Sequence, residues 1–326
     1  MLIKGYKELK YKVGELFAGI GGIGLGFINA GFDVVWANEI DEKASITYKK
    51  NFKHTLVTKD MTKVTKDELL NIEIDILTGG FPCQAFSIAG YRKGFNDDRG
   101  NLFFDILRYI DILQPKVVFL ENVKNLSSHD NGNTFRRIQE ELNNAGYYIK
   151  SNVLNTCNYS DVPQNRERIY IVCFKNKEMY EKFKFPSKVN KTKSIRSFLD
   201  KNAGEEFYYY KSIYYNQLKE TMKNPDTIYQ WRRVYVRENK SNLCPTLTAN
   251  MGTGGHNVPL VLDENNQIRK LTPRECARFQ GYPDSYILPD DLPNSALYKQ
   301  IGNSVSVPVI TAIAKNIKKV LESKDK

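Results

Sequence analysis

Between residues 13 and 175, short apolar runs alternate with segments of helical period, and each run is followed closely by glycine or a charged side chain. The runs cover 13–17, 34–37, 74–77, 117–120 and 169–174. Runs this short and this largely apolar suit strands covered on both faces, as in a parallel sheet flanked by helices. Strand–helix alternation therefore predicts an α/β domain with an open, doubly wound, mostly parallel sheet. In such a sheet ligands and reactive groups gather at the carboxyl ends of the strands. The residues that end these runs are the first candidates for chemistry.

The first run leads into Ala18-Gly19-Ile20-Gly21-Gly22-Ile23-Gly24 and then a helical segment through Ala30. Gly19, Gly21 and Gly24 match a G-x-G-x-x-G loop, and Glu39 follows Gly19 at the spacing where an acid binds ribose hydroxyls. Asp60, closing 55–59, is placed to meet an adenine amino group. A dinucleotide and the adenosyl group of S-adenosylmethionine satisfy this pattern equally. The run at 74–77 leads through Thr78-Gly79-Gly80 to Phe81-Pro82-Cys83-Gln84, where a Gly-Gly turn would expose Cys83 as a thiolate nucleophile. The run at 117–120 ends in Glu121-Asn122-Val123, so a carboxyl would share one cleft with Cys83 if their strands are neighbours. Arg166 and Arg168, two apart in Gln164-Asn165-Arg166-Glu167-Arg168, share a face of extended chain, and their rigid donors suit a carboxylate, a phosphate or a base edge.

Taken in order, these blocks resemble the DNA (cytosine-5)-methyltransferases of bacterial restriction-modification systems. The similarity lies in Leu16-Phe17-Ala18-Gly19-Ile20-Gly21-Gly22, Gly80-Phe81-Pro82-Cys83-Gln84, Glu121-Asn122-Val123 and Gln164 to Arg168, with Arg269 to Arg278 and Gly302-Asn303-Ser304-Val305 near the end. The resemblance implies a Rossmann-like S-adenosylmethionine-dependent methyltransferase sheet with a small inserted target-recognition domain. It implies that Cys83 adds to C6 of a flipped-out cytosine, Glu121 meets N3 and the exocyclic amine, and Arg166 and Arg168 hold the acid and the base carbonyl. It also implies that Phe17 packs on adenine, that Gly19, Gly21 and Gly22 form the cofactor turn, that Glu39 takes the ribose and Asp60 the adenine, and that Leu102 and Asn303 complete the pocket. S-adenosylhomocysteine would be the product. Gln84, Ser87 and the glycine- and charge-rich stretch 88–99 would close over the DNA and fill the gap left by the flipped base.

The rest of the chain is consistent with that expectation. Forty-eight Lys and Arg against 37 Asp and Glu give +11, which favours a polyanionic partner, here double-stranded DNA. From about 180 to 265 lysine, tyrosine and asparagine dominate and no catalytic block occurs. The predicted division is 1–180 catalytic and cofactor-binding, 181–267 target recognition, and 268–326 a return to the catalytic domain. Within the middle part 231–237 alternates like a half-buried strand. Arg232, Arg233 and Arg237 are candidates for phosphate or guanine contacts, Thr246-Leu247 matches a short element of such domains, and 252–256 is a loop able to approach the DNA backbone. Helical period recurs in Leu102, Phe103, Ile106, Ile110 and Leu113, and in Val309, Ile310, Ile313, Ile317 and Val320.

Five cysteines without C-x-x-C spacing and three scattered histidines predict no metal site and reduced thiols. Residues 1–12 lack the apolar core of a signal peptide, and no long apolar run suggests a membrane span, so a bacterial cytoplasmic location is expected. One flipped base per event makes a monomer sufficient, and a cognate restriction endonuclease would be a functional partner. The competing readings are a DNA-binding module without chemistry, an NAD-dependent dehydrogenase built on the same glycine loop, and an RNA methyltransferase of the same fold. The recognition-sized insertion leans to DNA.

Overall fold

The computed structural model describes residues 11–82, 102–189, 193–232, 234–239, 241–254 and 256–323. Cys83, Gln84, Ser87 and Arg233, with the whole of 88–99, lie outside the described residues.

Among the described residues eight strands lie between Lys12 and Phe174: β1 (Lys12–Leu16), β2 (Asp33–Glu39), β3 (Thr55–Thr58), β4 (Ile76–Gly80), β5 (Val117–Val123), β6 (Tyr148–Asn155), β7 (Gln164–Asn165) and β8 (Glu167–Phe174). All but β7 form one sheet in the order β3-β2-β1-β4-β5-β8-β6. The β1–β5 pairs are parallel, and β8 runs antiparallel to both β5 and β6. A hairpin-like return thus inserts β8 between β5 and β6. The central strands are buried except at the end residues Lys12, Gly80 and Val123, as strands covered on both faces require.

Helices cover both faces. On one, Gly22–Asn29 lies against Val307–Glu322, burying Ile23 and Phe27 with Val309, Ile310, Ile313 and Ile317. Gly26 makes this approach possible, because a Cβ there would stand 2.4 Å from Ile310 Cγ2. On the other, Leu102–Leu113 and Asn133–Asn144 pack Phe103, Ile106, Ile110, Ile138 and Leu142 against Leu77, Val118 and Leu120. Both helical periods read from the sequence therefore face the sheet.

Two local expectations change. Residues 78–80 are not a turn beyond the strand; Gly79 and Gly80 are its last two residues, in register with Leu120 and Glu121. Pairing of Gly79 with Leu16 of β1 and Leu120 of β5, and of Gly80 with Glu121 of β5, outweighs the weak strand preference of glycine. The 231–237 segment is not one strand. It contains the hairpin of β9 (Tyr229–Trp231) and β10 (Val236–Glu238), with Trp231 opposite Val236 and Arg232 N–H donating to Tyr235 C=O at 2.8 Å.

The hairpin belongs to a second sheet. Together with β11 (Cys244–Pro245), β12 (Leu260–Leu262) and β13 (Ile268–Lys270), the later strands give the order β10-β9-β12-β13, while β11 pairs with β7. The β12–β13 hairpin spans the 267/268 boundary. Behind this sheet Leu218 and Met222 pack on Tyr229, Leu260 and Ile268. Its last strand is tied to the helix Pro273–Phe279 by a fully buried pair: Glu275 accepts from Arg269 Nη1 at 2.8 Å and Nη2 at 2.7 Å, and from the N–H groups of Asp200 and Thr272. None of the described helices is long and apolar enough to cross a membrane.

Candidate active site

The parallel order places the ends of β1, β2, β4 and β5 side by side, and a cleft of about 450 Å³ opens there. The glycine loop forms its floor. Phe17 has φ 53, Gly19 φ 55 and Gly21 φ 76, so the chain turns left-handed three times between β1 and the helix. A side chain at Gly21 would strike Phe52, and one at Gly22 would stand 2.6 Å from both Ser304 Oγ and Tyr282 Oη. Glycine here is a requirement of close approach as well as of φ. The loop is also held from outside: Glu39 Oε2 accepts from Gly19 N–H at 2.6 Å, while its Oε1 accepts from the N–H groups of Ile40 and Asp41.

The opposite wall carries the acid. Glu121, 7% exposed, lies near the end of β5 beside Gly80, whose Cβ would sit 3.5 Å from Glu121 Oε2. Arg168 Nε lies 3.2 Å from Glu121 Oε1, within ion-pair distance, yet no donor among the described residues is aligned to hydrogen-bond that oxygen. Burial drives the Glu121 carboxyl above the usual carboxylate range, and Arg168 and Arg166 only partly offset it. Asn122 Nδ2 donates to Phe81 C=O at 2.8 Å, so the chain entering Pro82 is tied to the strand that bears Glu121. Cys83, the next residue, lies outside the described ones.

Arg166 has a different environment from Arg168. It is 2% exposed, and its guanidinium donates to the carbonyls of Leu247 (2.9 Å), Gly302 (3.4 Å) and Ser304. One side chain thus joins the start of β8, the segment after β11 and the C-terminal return of the chain. Burial, with Arg168 nearby, lowers its pKa to about 9 against the pull of Glu121. Its Nε has no partner among the described residues, and neither has Gln300 Nε2. Buried polar atoms left unpaired are rare, and three of those found here, on Glu121, Arg166 and Gln300, belong to residues lining one cleft. That is the mark of a site shaped for a polar ligand.

Of the residues expected from sequence, Phe17, Gly19, Gly22, Glu39, Glu121, Arg166, Arg168 and Asn303 line the cleft. Gly21 underlies the loop without lining it. Asp60, whose carboxylate accepts from Thr62 N–H and Oγ1, and Leu102, packed on the helix-covered core, stand outside the lining among the described residues. At the smaller sheet Arg232, just beyond β9, donates to His256 C=O at 3.4 Å and Arg237 is exposed on β10, while Thr246, just beyond β11, donates through Oγ1 to Asn165 C=O at 2.7 Å, one residue from Arg166. Gly302 and Thr248 press backbone to backbone, since a Cβ at Gly302 would stand 2.3 Å from the Thr248 carbonyl carbon. The loops of the smaller sheet are thereby seated on the cleft wall.

Five lining residues, Glu15, Asp41, Ala44, Lys299 and Gln300, are not singled out by any sequence motif. Glu15, 1% exposed inside β1, was hidden by its apolar neighbours, although an acid within a buried strand is itself a signal. Asp41 and Lys299 form an ion pair at 3.1 Å between the helices Glu42–Asn51 and Asn294–Asn303, a contact across 258 positions that no local pattern announces.

The family model described as C-5 cytosine-specific DNA methylase matches residues 11–319. The chain is 55% identical over 314 residues to the type II methyltransferase M.Bsp6I of Bacillus sp. (strain RFL6), covering 94% of this chain and 98% of that protein. It is 39% identical to M.HhaI of Haemophilus parahaemolyticus, covering 93% of each. Among solved structures, a DNMT2 variant of Spodoptera frugiperda superposes with TM-score 0.76 at 20% identity, over 95% of this chain and 100% of that one. The methyltransferase EhMeth of Entamoeba histolytica gives 0.75 at 21%, over 96% and 99%. These two share the fold, an α/β Rossmann-like methyltransferase sheet, as the sequence led us to expect. The chain belongs to the C-5 cytosine-specific DNA methylase family and is a DNA (cytosine-5) methyltransferase.

Proposed function

We propose that this enzyme methylates C5 of a cytosine flipped out of a short specific duplex site, through a covalent bond from Cys83 to C6. The observation that supports this most is the buried, incompletely bonded carboxyl of Glu121, set beside Arg168 and next to the strand that runs into Pro82 and Cys83. Cytosine C5 is a poor nucleophile. Addition of a thiolate at C6 makes the ring enamine-like, and a proton delivered to N3 relieves the charge that develops. Glu121 is suited to that delivery because burial keeps its proton available nearer neutral pH than an exposed glutamate would. Arg168 steadies the carboxyl, and Arg166 fixes the cleft wall by spanning Leu247 and Ser304.

The glycine cradle, the Glu39 carboxylate that shapes it and the unpaired Gln300 amide fit S-adenosylmethionine, with Phe17, Gly19, Gly22, Glu39 and Asn303 as its contacts. When bound, this cofactor supplies an electrophilic methyl group on a sulfonium. The DNA would reach the cleft over the smaller sheet, where Arg232, Arg237 and Thr246 lie and where Val234 and Tyr235 at the β9–β10 turn are 78% and 54% exposed. Gln84, Ser87 and Arg233 complete the proposed DNA contacts from outside the described residues. Residues 181–267 would serve target recognition, and the biological role would be protection of host DNA from a cognate endonuclease by a cytoplasmic monomer.

Bisulfite sequencing of DNA from cells expressing the wild type or Cys83→Ser tests this reading. Protection of cytosines at one short motif, lost in the variant, is the expected result. Equal protection by Cys83→Ser would sink the covalent mechanism, and a stable adduct with 5-fluorocytosine DNA would confirm it independently.

A further inference from the structure

Below the glycine loop three titratable side chains form a line. Glu15 Oε1 accepts from Gly24 N–H at 3.0 Å, Glu15 Oε2 lies 3.4 Å from Tyr48 Oη, and Tyr48 Oη lies 2.6 Å from His54 Nε2. Glu15 borders the cleft while His54, only half-buried, stands at the other end. Tyr48 has one hydroxyl proton and two neighbours. The histidine nitrogen is much the nearer, so the phenol donates there when His54 carries its proton on Nδ1. The contact between Tyr48 and Glu15 is then attractive only if the carboxyl supplies a proton of its own.

The surroundings of Glu15 point the same way. It faces Tyr48 from the helix Glu42–Asn51, Glu39 from β2, and the phenols of Tyr282 and Tyr286 from the segment after Pro273–Phe279. No lysine or arginine pairs with it among the described residues. Among the described residues the charged side chain that acts on it is Glu39, of like sign.

We infer that Glu15 is a proton-linked cation-binding group of the cofactor cleft, which holds a proton until a positively charged cofactor arrives and then releases it through Tyr48 and His54. The inference rests on the S-adenosylmethionine reading of the cleft. The Glu15 O–H bond breaks as Tyr48 Oη takes that proton; Tyr48 gives its original proton to His54 Nε2; the doubly protonated ring sheds its Nδ1 proton to solvent. One proton leaves, and a carboxylate remains facing the cleft. Burial drives the Glu15 carboxyl up to about 8, so near neutral pH the proton is there to be released. His54 is depressed by burial, with Asp33 the charged group that faces it, so it does not retain the proton it receives.

Isothermal titration calorimetry at pH 7 in two buffers of different ionisation enthalpy counts the protons. For the full-length chain S-adenosylmethionine should release about one proton, and methylthioadenosine, which carries neither sulfonium nor ammonium, should release none. S-adenosylhomocysteine identifies the cation: release with it marks the ammonium, and release with S-adenosylmethionine alone marks the sulfonium. Glu15→Gln, which keeps an acceptor for Gly24, should lose the release and bind S-adenosylmethionine about tenfold more weakly, a difference of about 1.4 kcal/mol. In stopped-flow with a pH indicator, Tyr48→Phe should release its proton more slowly than it binds. Binding of S-adenosylmethionine with no proton release, or undiminished release by Glu15→Gln, would overturn the inference; unslowed release by Tyr48→Phe would overturn the route. Failure of the wild type to bind S-adenosylmethionine at all would instead overturn the cofactor reading on which it stands.

Discussion

Replacing Glu15 by Gln should change the stability of the free protein in a pH-dependent way. In the folded chain the carboxyl titrates at about 8, against an ordinary value of 4.5. Between those values the native state keeps a proton that the unfolded chain has lost. The proton-holding contribution of Glu15 is therefore fully present below pH 4.5 and disappears as pH rises to about 8. At about 1.4 kcal/mol for each tenfold change, the full interval corresponds to about 5 kcal/mol, an upper figure for a single buried group. Gln cannot ionise, yet it can accept from Gly24 N–H and donate to Tyr48 Oη, so its packing cost should be small. Glu15→Gln should match the wild type near pH 5 and exceed it above pH 8, with a gain in melting temperature on the order of 10 °C. Differential scanning fluorimetry from pH 5 to 9 without cofactor measures this. A difference between the two proteins that stays constant across the range would refute the argument, because it would show that Glu15 titrates alike in both states.

Other perturbations probe the remaining parts of the site. Glu121→Gln should lower turnover by about 10²–10⁴ while leaving DNA affinity nearly unchanged, as gel-shift and tritiated-methyl assays would show. For the wild type, because burial raises the Glu121 carboxyl, the rate should fall as pH rises through that raised value; a flat alkaline limb would argue against proton delivery by Glu121. Gly22→Ala, whose Cβ meets Ser304 and Tyr282 at 2.6 Å, should weaken S-adenosylmethionine binding by tenfold or more with little change in far-ultraviolet circular dichroism, and unaltered affinity would remove the loop from the site. Glu275→Gln leaves the Arg269 charge buried without its counter-ion and should cost about 3–5 kcal/mol, whereas joint replacement of both by apolar residues should recover most of it; denaturant midpoints of the three proteins decide.

The amino-acid order by itself determined which groups stand at the strand ends. Gly19, Glu39, Glu121 and the chain entering Cys83 each follow an apolar run, and run length and period are local properties that survive without knowledge of partners. The family likewise is written in the ordered blocks. Only the tertiary structure decided which strands are neighbours. Pairing of β4 with β5 brings Glu121 beside Gly80, and the antiparallel insertion of β8 next to β5 brings Arg168 to Glu121. Strand order depends on contacts between distant segments, which a local pattern does not encode. For the same reason the local pattern at Gly79 and Gly80 suggests a turn, when pairing with β5, and for Gly79 also with β1, makes them strand. The partners of Arg166 are equally non-local, because three carbonyls from 247, 302 and 304 engage its guanidinium. Glu15 is of the same kind, since its meaning comes from Tyr48 and His54, residues that a buried carboxyl meets only once the chain has folded around it.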